Sequence, residues 1–133
     1  MSRLLINEME KWHEPWFHED NSLEVIDIEK CIAHFPHGEP DGLVTFMQEA
    51  FRCLKPGGTL TIHTHVASNP LAVADPEAVR FFNSASWLHF AKPADVDDWA
   101  WGKYGKDWGT RFNVIHEVQG DETCVVTMEK PDD

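Results

Sequence analysis

The chain has 133 residues, 42% of them hydrophobic and 26% charged, which suits a single domain, residues 1–133, burying roughly two thirds of the surface its unfolded form would expose. Eleven basic against 23 acidic side chains leave a formal charge of −12, which opposes phosphate backbones and anionic lipid, so neither nucleic acid nor a membrane surface is an expected partner. No apolar run approaches the roughly 20 residues that span a bilayer, and the Met-Ser-Arg start lacks the charged-then-apolar pattern of a signal segment, so a cytoplasmic protein is expected.

Leu4, Leu5 and Ile6 predict a short N-terminal strand, followed by charged residues and an aromatic loop with Trp12, Trp16 and Phe17. His18-Glu-Asp-Asn-Ser22 reads as a turn. Leu23 to Glu29, with Val25, Ile26 and Ile28, predicts a buried strand. The segment His34 to Asp41 holds two prolines and a glycine and must be a loop. A helix is expected from Asp41 or Gly42, its apolar stripe formed by Leu43, Val44, Met47, Ala50, Phe51 and Leu54. Gln48, Glu49, Arg52 and Lys55 fall on the polar side, and the two cations suit the negative end of the helix dipole.

Lys55-Pro-Gly-Gly58 stops that helix, and Thr59 to Thr64 follows at once as an apolar, β-branched strand. So tight an α-to-β connection is what parallel sheets use. Beyond it, Asp75-Pro-Glu77 reads as a helix start, with an N-cap, a proline at the first helical position and an acid in the first turn. Asn83 or Ser84 would cap a further helical turn through Trp87, Leu88 and Phe90. Pro93 to Gly109 has no clean period and reads as an irregular loop. Phe112 to Val118 and Thr123 to Glu129, joined by Gln119-Gly-Asp-Glu122, predict an antiparallel hairpin. The result is an α/β domain with a mixed sheet of about five strands, parallel at its centre. Cys31, Cys53 and Cys124, odd in number and set in apolar segments, read as buried thiols.

Several strings together resemble the C-terminal half of class I, Rossmann-like S-adenosylmethionine-dependent methyltransferases. Glu49-Ala-Phe-Arg52 leading through Lys55-Pro-Gly-Gly58 to Leu60 is similar to the junction before that family's fifth strand. Glu19-Asp-Asn-Ser22 resembles its acidic loop before the fourth strand, and Ala33-His-Phe-Pro-His37 the segment after it. Asp75-Pro-Glu-Ala-Val-Arg-Phe-Phe82 resembles a stretch of methyltransferases predicted in bacteriophages. The resemblance covers residues 2 to 130. It implies a truncated methyltransferase fold lacking the first two strands, and a host-cytoplasm location if the chain is phage-encoded.

In that family a G-x-G-x-G loop and an acid ending the second strand hold the cofactor, through close backbone approach and paired hydrogen bonds to the ribose. Neither is found here: Gly57 and Gly58 precede a strand, and the family's Glu-His pair reads Ala33-His34. Catalytic and cofactor-binding residues therefore stay unassigned. No cofactor is expected on the isolated chain, and S-adenosylmethionine is expected only if another chain supplies the missing half.

His34 and His37 follow one predicted strand, while His63 and His65 share a face of the next. Neighbouring parallel strands would bring His34 to His63 or His65 at their carboxyl ends, where open sheets bind ligands. Three imidazoles there would suit zinc or acid–base work, although ordinary loop and strand-end histidines are the plainer reading. Trp99 and Trp101, with Trp108, would offer a stacking platform, or more simply seal a core edge. Asp95, Asp97 and Asp98 read as a solvated face. His34, His37, His65, Trp99 and Trp101 are thus the candidate partner or pocket residues. The leading expectation is a non-catalytic, methyltransferase-like domain that binds a protein or dimerises, its sheet edge at Leu23–Glu29 being covered by the N-terminal strand, a second copy or another protein. The alternatives are a methyltransferase completed by another chain and a metal site at His34, His63 and His65.

Overall fold

A computed structural model describes residues 2–6, 18–29, 42–66, 110–120 and 123–132, together with Ile32, Phe35, Pro70, Ala74, Phe82, Ser86, Trp87 and Phe90. Strands β1 (Arg3–Ile6), β2 (Leu23–Glu29), β3 (Leu54–His65), β4 (Asn113–Gln119) and β5 (Thr123–Glu129) form one sheet in the order β1-β2-β3-β5-β4. Among the described residues, the helix α1 (Gly42–Cys53) joins β2 to β3 in sequence. The first three strands are parallel and the last two form an antiparallel hairpin, β5 lying against β3. The expected mixed α/β sheet, with its C-terminal hairpin, is the one observed.

The core follows from the two-residue period of the strands. Leu4, Ile26, Leu60, Met128 and Val114 align in one row across the sheet, and Ile6, Ile28, Ile62 and Val126 in the next. Apart from the half-buried Leu4 and Val114, these side chains are buried, in one cluster with Phe46, Met47, Ala50 and Cys53 of α1 and with Phe35, Trp87 and Phe112. Phe35 and Phe46 meet with ring centroids 5.3 Å apart. The buried stripe of the helix is Gly42, Leu43, Phe46, Met47, Ala50 and Cys53. This corrects the expected stripe, because Val44 and Phe51 are only half-buried. Phe51 instead stands edge-on to Phe112, at 5.0 Å, and lies beneath the Lys130 ammonium, 5.0 Å from its centroid.

The helix ends at Cys53 and the strand starts at Leu54, five residues before the expected Thr59. Leu23 pairs with Leu54 and Val25 with Thr59, so four residues of β3, Lys55 to Gly58, stand opposite the single Glu24. The chain can fold over itself there because Gly57 adopts φ +85° and Gly58 has no side chain. A Cβ on Gly58 would lie 2.8 Å from the Lys55 carbonyl oxygen and 3.1 Å from that of Glu24. The edge of β2 that called for a cover is covered by β1, so that edge does not itself require a second copy. Cys53 and Cys124 are buried free thiols, as expected. The helix start at Asp75, the cap at Asn83 or Ser84, the acidic cluster at 95–98 and Cys31 lie outside the described residues.

Candidate functional site

Open parallel sheets bind ligands at the carboxyl ends of their strands, where the strand order reverses and adjacent loops part. Here those ends are Ile6, Glu29 and His65. The parallel strands advance in one direction, β1 to β2 to β3, so no such reversal arises among them.

At this end Glu29 and His63 are register partners, and His65 pairs with Thr123. His63 and His65 are both half-buried, on the face of β3 opposite Leu60, Ile62 and the buried Thr64. They share a face, as their spacing requires, but it is the face turned away from the α1 core. His34, His37, Trp99 and Trp101 lie outside the described residues, so the expected meeting of His34 with His63 or His65 does too. Among the described residues, no group of three or more His, Cys, Asp or Glu side chains could hold a metal ion.

A feature the sequence did not single out lies on the core face of the same end. Just past β3, Val66 pairs in parallel with Phe82, and Phe82 stacks on Trp87 at 4.7 Å and 20°. Trp87 is fully buried and its indole Nε1 lacks an ordinary hydrogen-bond partner. Burial pushes the Cys124 thiol pKa up, Trp87 partly opposes this, and the Glu117 carboxylate adds to the rise. Burial and the raised pKa both disfavour the thiolate at this sulfur.

The opposite, amino-terminal end of the sheet is bound together by polar contacts. The amides of Asn21 and Ser22 donate to the carbonyls of Arg52 (3.0 Å) and Cys53 (2.7 Å), satisfying acceptors that the helix end leaves open. Asn21 reaches this geometry with φ 52°, which asparagine tolerates better than most residues. Arg52 donates to Asp20 Oδ1 at 2.6 Å and to Glu49. These two carboxylates, Asp20 foremost, raise the pKa of the guanidinium. Lys130 Nζ donates to Asn21 Oδ1 at 2.8 Å, while its backbone exchanges hydrogen bonds with Gly57 and Gly58. An open groove of about 440 Å³ lies here, between Glu24 and Val25 on one side and Lys55 to Thr59 on the other. It sits at the wrong end of the parallel strands for the expected crevice.

An adenosyl cofactor needs a glycine-rich turn after a parallel strand and a free carboxylate at a neighbouring strand end. The sequence following β1 contains no glycine before Gly38. Asp27 on β2 is engaged by Arg3 Nε at 3.4 Å. At the carboxyl end of β2 itself stands the exposed Glu29.

No protein-family model and no curated protein matches the chain. Solved structures do resemble it. A candidate type 11 methyltransferase from Sulfolobus solfataricus superposes with a TM-score of 0.58 at 14% identity, over 98% of this chain and 72% of that one. A candidate methyltransferase from Bacillus halodurans gives 0.54 at 14%, over 97% and 92%. A structure of the Haloferax volcanii Trm112 methyltransferase activator in complex with a candidate methyltransferase gives 0.53 at 14%, over 86% of this chain and 57% of the chain matched. The fold is therefore methyltransferase-like and α/β.

Proposed function

We propose that this chain is a methyltransferase-like domain that acts by binding a protein and does not itself transfer methyl groups. The observation that carries the reading is the first parallel strand: β1 lies beside β2 in the sheet, yet the sequence after it lacks the glycines that let a backbone approach an adenosyl group. The one-directional order of the parallel strands and the engagement of Asp27 by Arg3 support it further. One structural relative was solved together with a methyltransferase activator, so protein partnership has a precedent on this scaffold. A phage-encoded factor acting in a host cytoplasm fits this reading.

The second reading is an S-adenosylmethionine-dependent methyltransferase completed by another chain. It is favoured by the share of the Haloferax volcanii chain, 57%, that this protein spans, which leaves room for a complementing half. Calorimetry with S-adenosylmethionine and S-adenosylhomocysteine separates the two. The binding-domain reading expects no heat of binding at ligand concentrations up to about 1 mM, whereas micromolar affinity of the chain alone would sink it.

A further inference from the structure

His63 and His65 alternate with the buried Ile62 and Thr64 on β3, so both imidazoles rise from the outer face of one regular strand. Glu29 of β2 lies in register beside His63, and Val125 and Thr123 of β5 lie beside His63 and His65. The ladder thus holds the backbone of the pair in place. Residues two apart on a strand have Cβ atoms about 7 Å apart. Two imidazoles leaning toward each other across that gap can bring a nitrogen each to the roughly 2.0–2.1 Å that a metal ion requires. Both histidines are half-buried, so neither ring is sealed in the core.

The surroundings select the kind of ion. Imidazole nitrogen suits zinc, copper and nickel, whereas magnesium and calcium take oxygen donors. The register partners of the pair include no cation, and the one charged group among them, Glu29, is anionic. The formal charge of −12 also draws a dication to the chain. Among the described residues, no third His, Cys, Asp or Glu completes the set, which leaves the remaining coordination positions to water or to a donor from another molecule. We propose that His63 and His65 form a bidentate strand chelate for a divalent late first-row transition-metal ion, on the outer face at the carboxyl end of β3. The site stands apart from the protein-binding reading above, and cofactor calorimetry does not bear on it.

The probe is nickel(II) chloride, which thiols do not reduce, titrated into the tag-free, ¹⁵N-labelled full chain, with magnesium chloride as the counterpart. The expected result is saturable paramagnetic broadening that starts at the amides of His63 and His65 and of their partners Glu29, Thr123 and Val125, with no response to magnesium. His63→Gln and His65→Gln should each weaken nickel binding by about ten-fold or more, since even the outer-shell partners of a metal are worth that much, with an unchanged far-ultraviolet circular dichroism spectrum. In the unaltered chain, where no variant has to fold, nickel should slow the modification of both histidines by diethyl pyrocarbonate, read by peptide mass spectrometry. Broadening that starts elsewhere, that magnesium reproduces, or that survives either substitution undiminished would overturn the chelate. Equal modification rates with and without nickel would do the same.

Discussion

The two ends of the parallel strands are built differently. At the amino-terminal end, polar groups are tied to one another across long sequence separations: Asp20 to Arg52, Asn21 to Lys130, and Gly57 and Gly58 to the Lys130 backbone. At the carboxyl end, Glu29 and His63 are register partners and share the outer face with His65, while the inner face holds Phe82, Trp87 and Cys124. One end is tied together by polar contacts, and the other carries its titratable groups on the face turned away from the α1 core. Open parallel sheets bind ligands at the second kind of end, and here the sequence after β1 carries no glycine before Gly38.

The comparison breaks most sharply if a core residue proves dispensable. Phe46→Ala should destabilise the chain by about 3–5 kcal/mol in urea denaturation, because Phe46 is fully buried against Phe35 and the sheet. A cost under about 1 kcal/mol would mean that α1 is not packed as described. Next comes Gly58→Ala, at about 2–3 kcal/mol, since its Cβ would press on the Lys55 and Glu24 carbonyls. Gly57→Ala should cost less, about 1 kcal/mol, because its neighbourhood is open and only the positive φ opposes a side chain. The reverse order would argue against the four-residue fold-over facing Glu24.

A smaller effect is expected at Arg52. Its side chain is 33% exposed and that of Asp20 71%, so Arg52→Ala should cost roughly 0.5–1 kcal/mol, and less at high salt. A larger, salt-insensitive loss would show that the clasp is more deeply buried than its exposure indicates.

The thiols sharpen the picture through pH. Burial raises the pKa of Cys53 and Cys124 in the folded chain above the ordinary 9.0. Unfolded thiols therefore release protons first, and the contribution of these groups to stability is complete below pH 9.0 and is lost as pH rises through their folded values. Lys130 acts in the opposite sense: burial lowers its pKa, so its contribution grows as pH rises through that lowered value. Replacing both cysteines with alanine should flatten the alkaline fall in urea midpoint, and Lys130→Met should steepen it. Iodoacetamide at pH 8, followed by peptide mass spectrometry, should label Cys53 and Cys124 on the order of 100-fold more slowly in the native than in the unfolded chain. Rapid native labelling of Cys124 would contradict its burial against Trp87.

Much of the secondary structure was legible from local pattern. Leu23–Glu29 was bounded to the residue, and the start of α1 at Gly42 was readable, because apolar periodicity and proline–glycine punctuation act within a few residues. The helix stripe was drawn to one side of the buried one. Phe46 and Cys53 carried the i, i+3, i+4 signal that would have found them, and Phe51 looked like core although it packs at the margin on Phe112 and beneath Lys130. The candidate site was only partly readable. Spacing placed His63 and His65 on one face, but only the sheet decided that this face turns away from the α1 core.

By itself the amino-acid sequence determined the existence of the five described strands and α1, the tight junction at Lys55-Pro-Gly-Gly58 and the absence of a glycine between Ile6 and Gly38, since each depends on neighbouring side chains and backbone freedom. Tertiary structure decided that β1 covers β2, that β5 and not β4 lies against β3, that Glu24 faces the folded-over Lys55–Gly58, and that Lys130 closes on Asn21. Those arrangements join residues up to 109 positions apart. Their partners are chosen by burial and hydrogen bonding across the whole sheet, which no local pattern encodes.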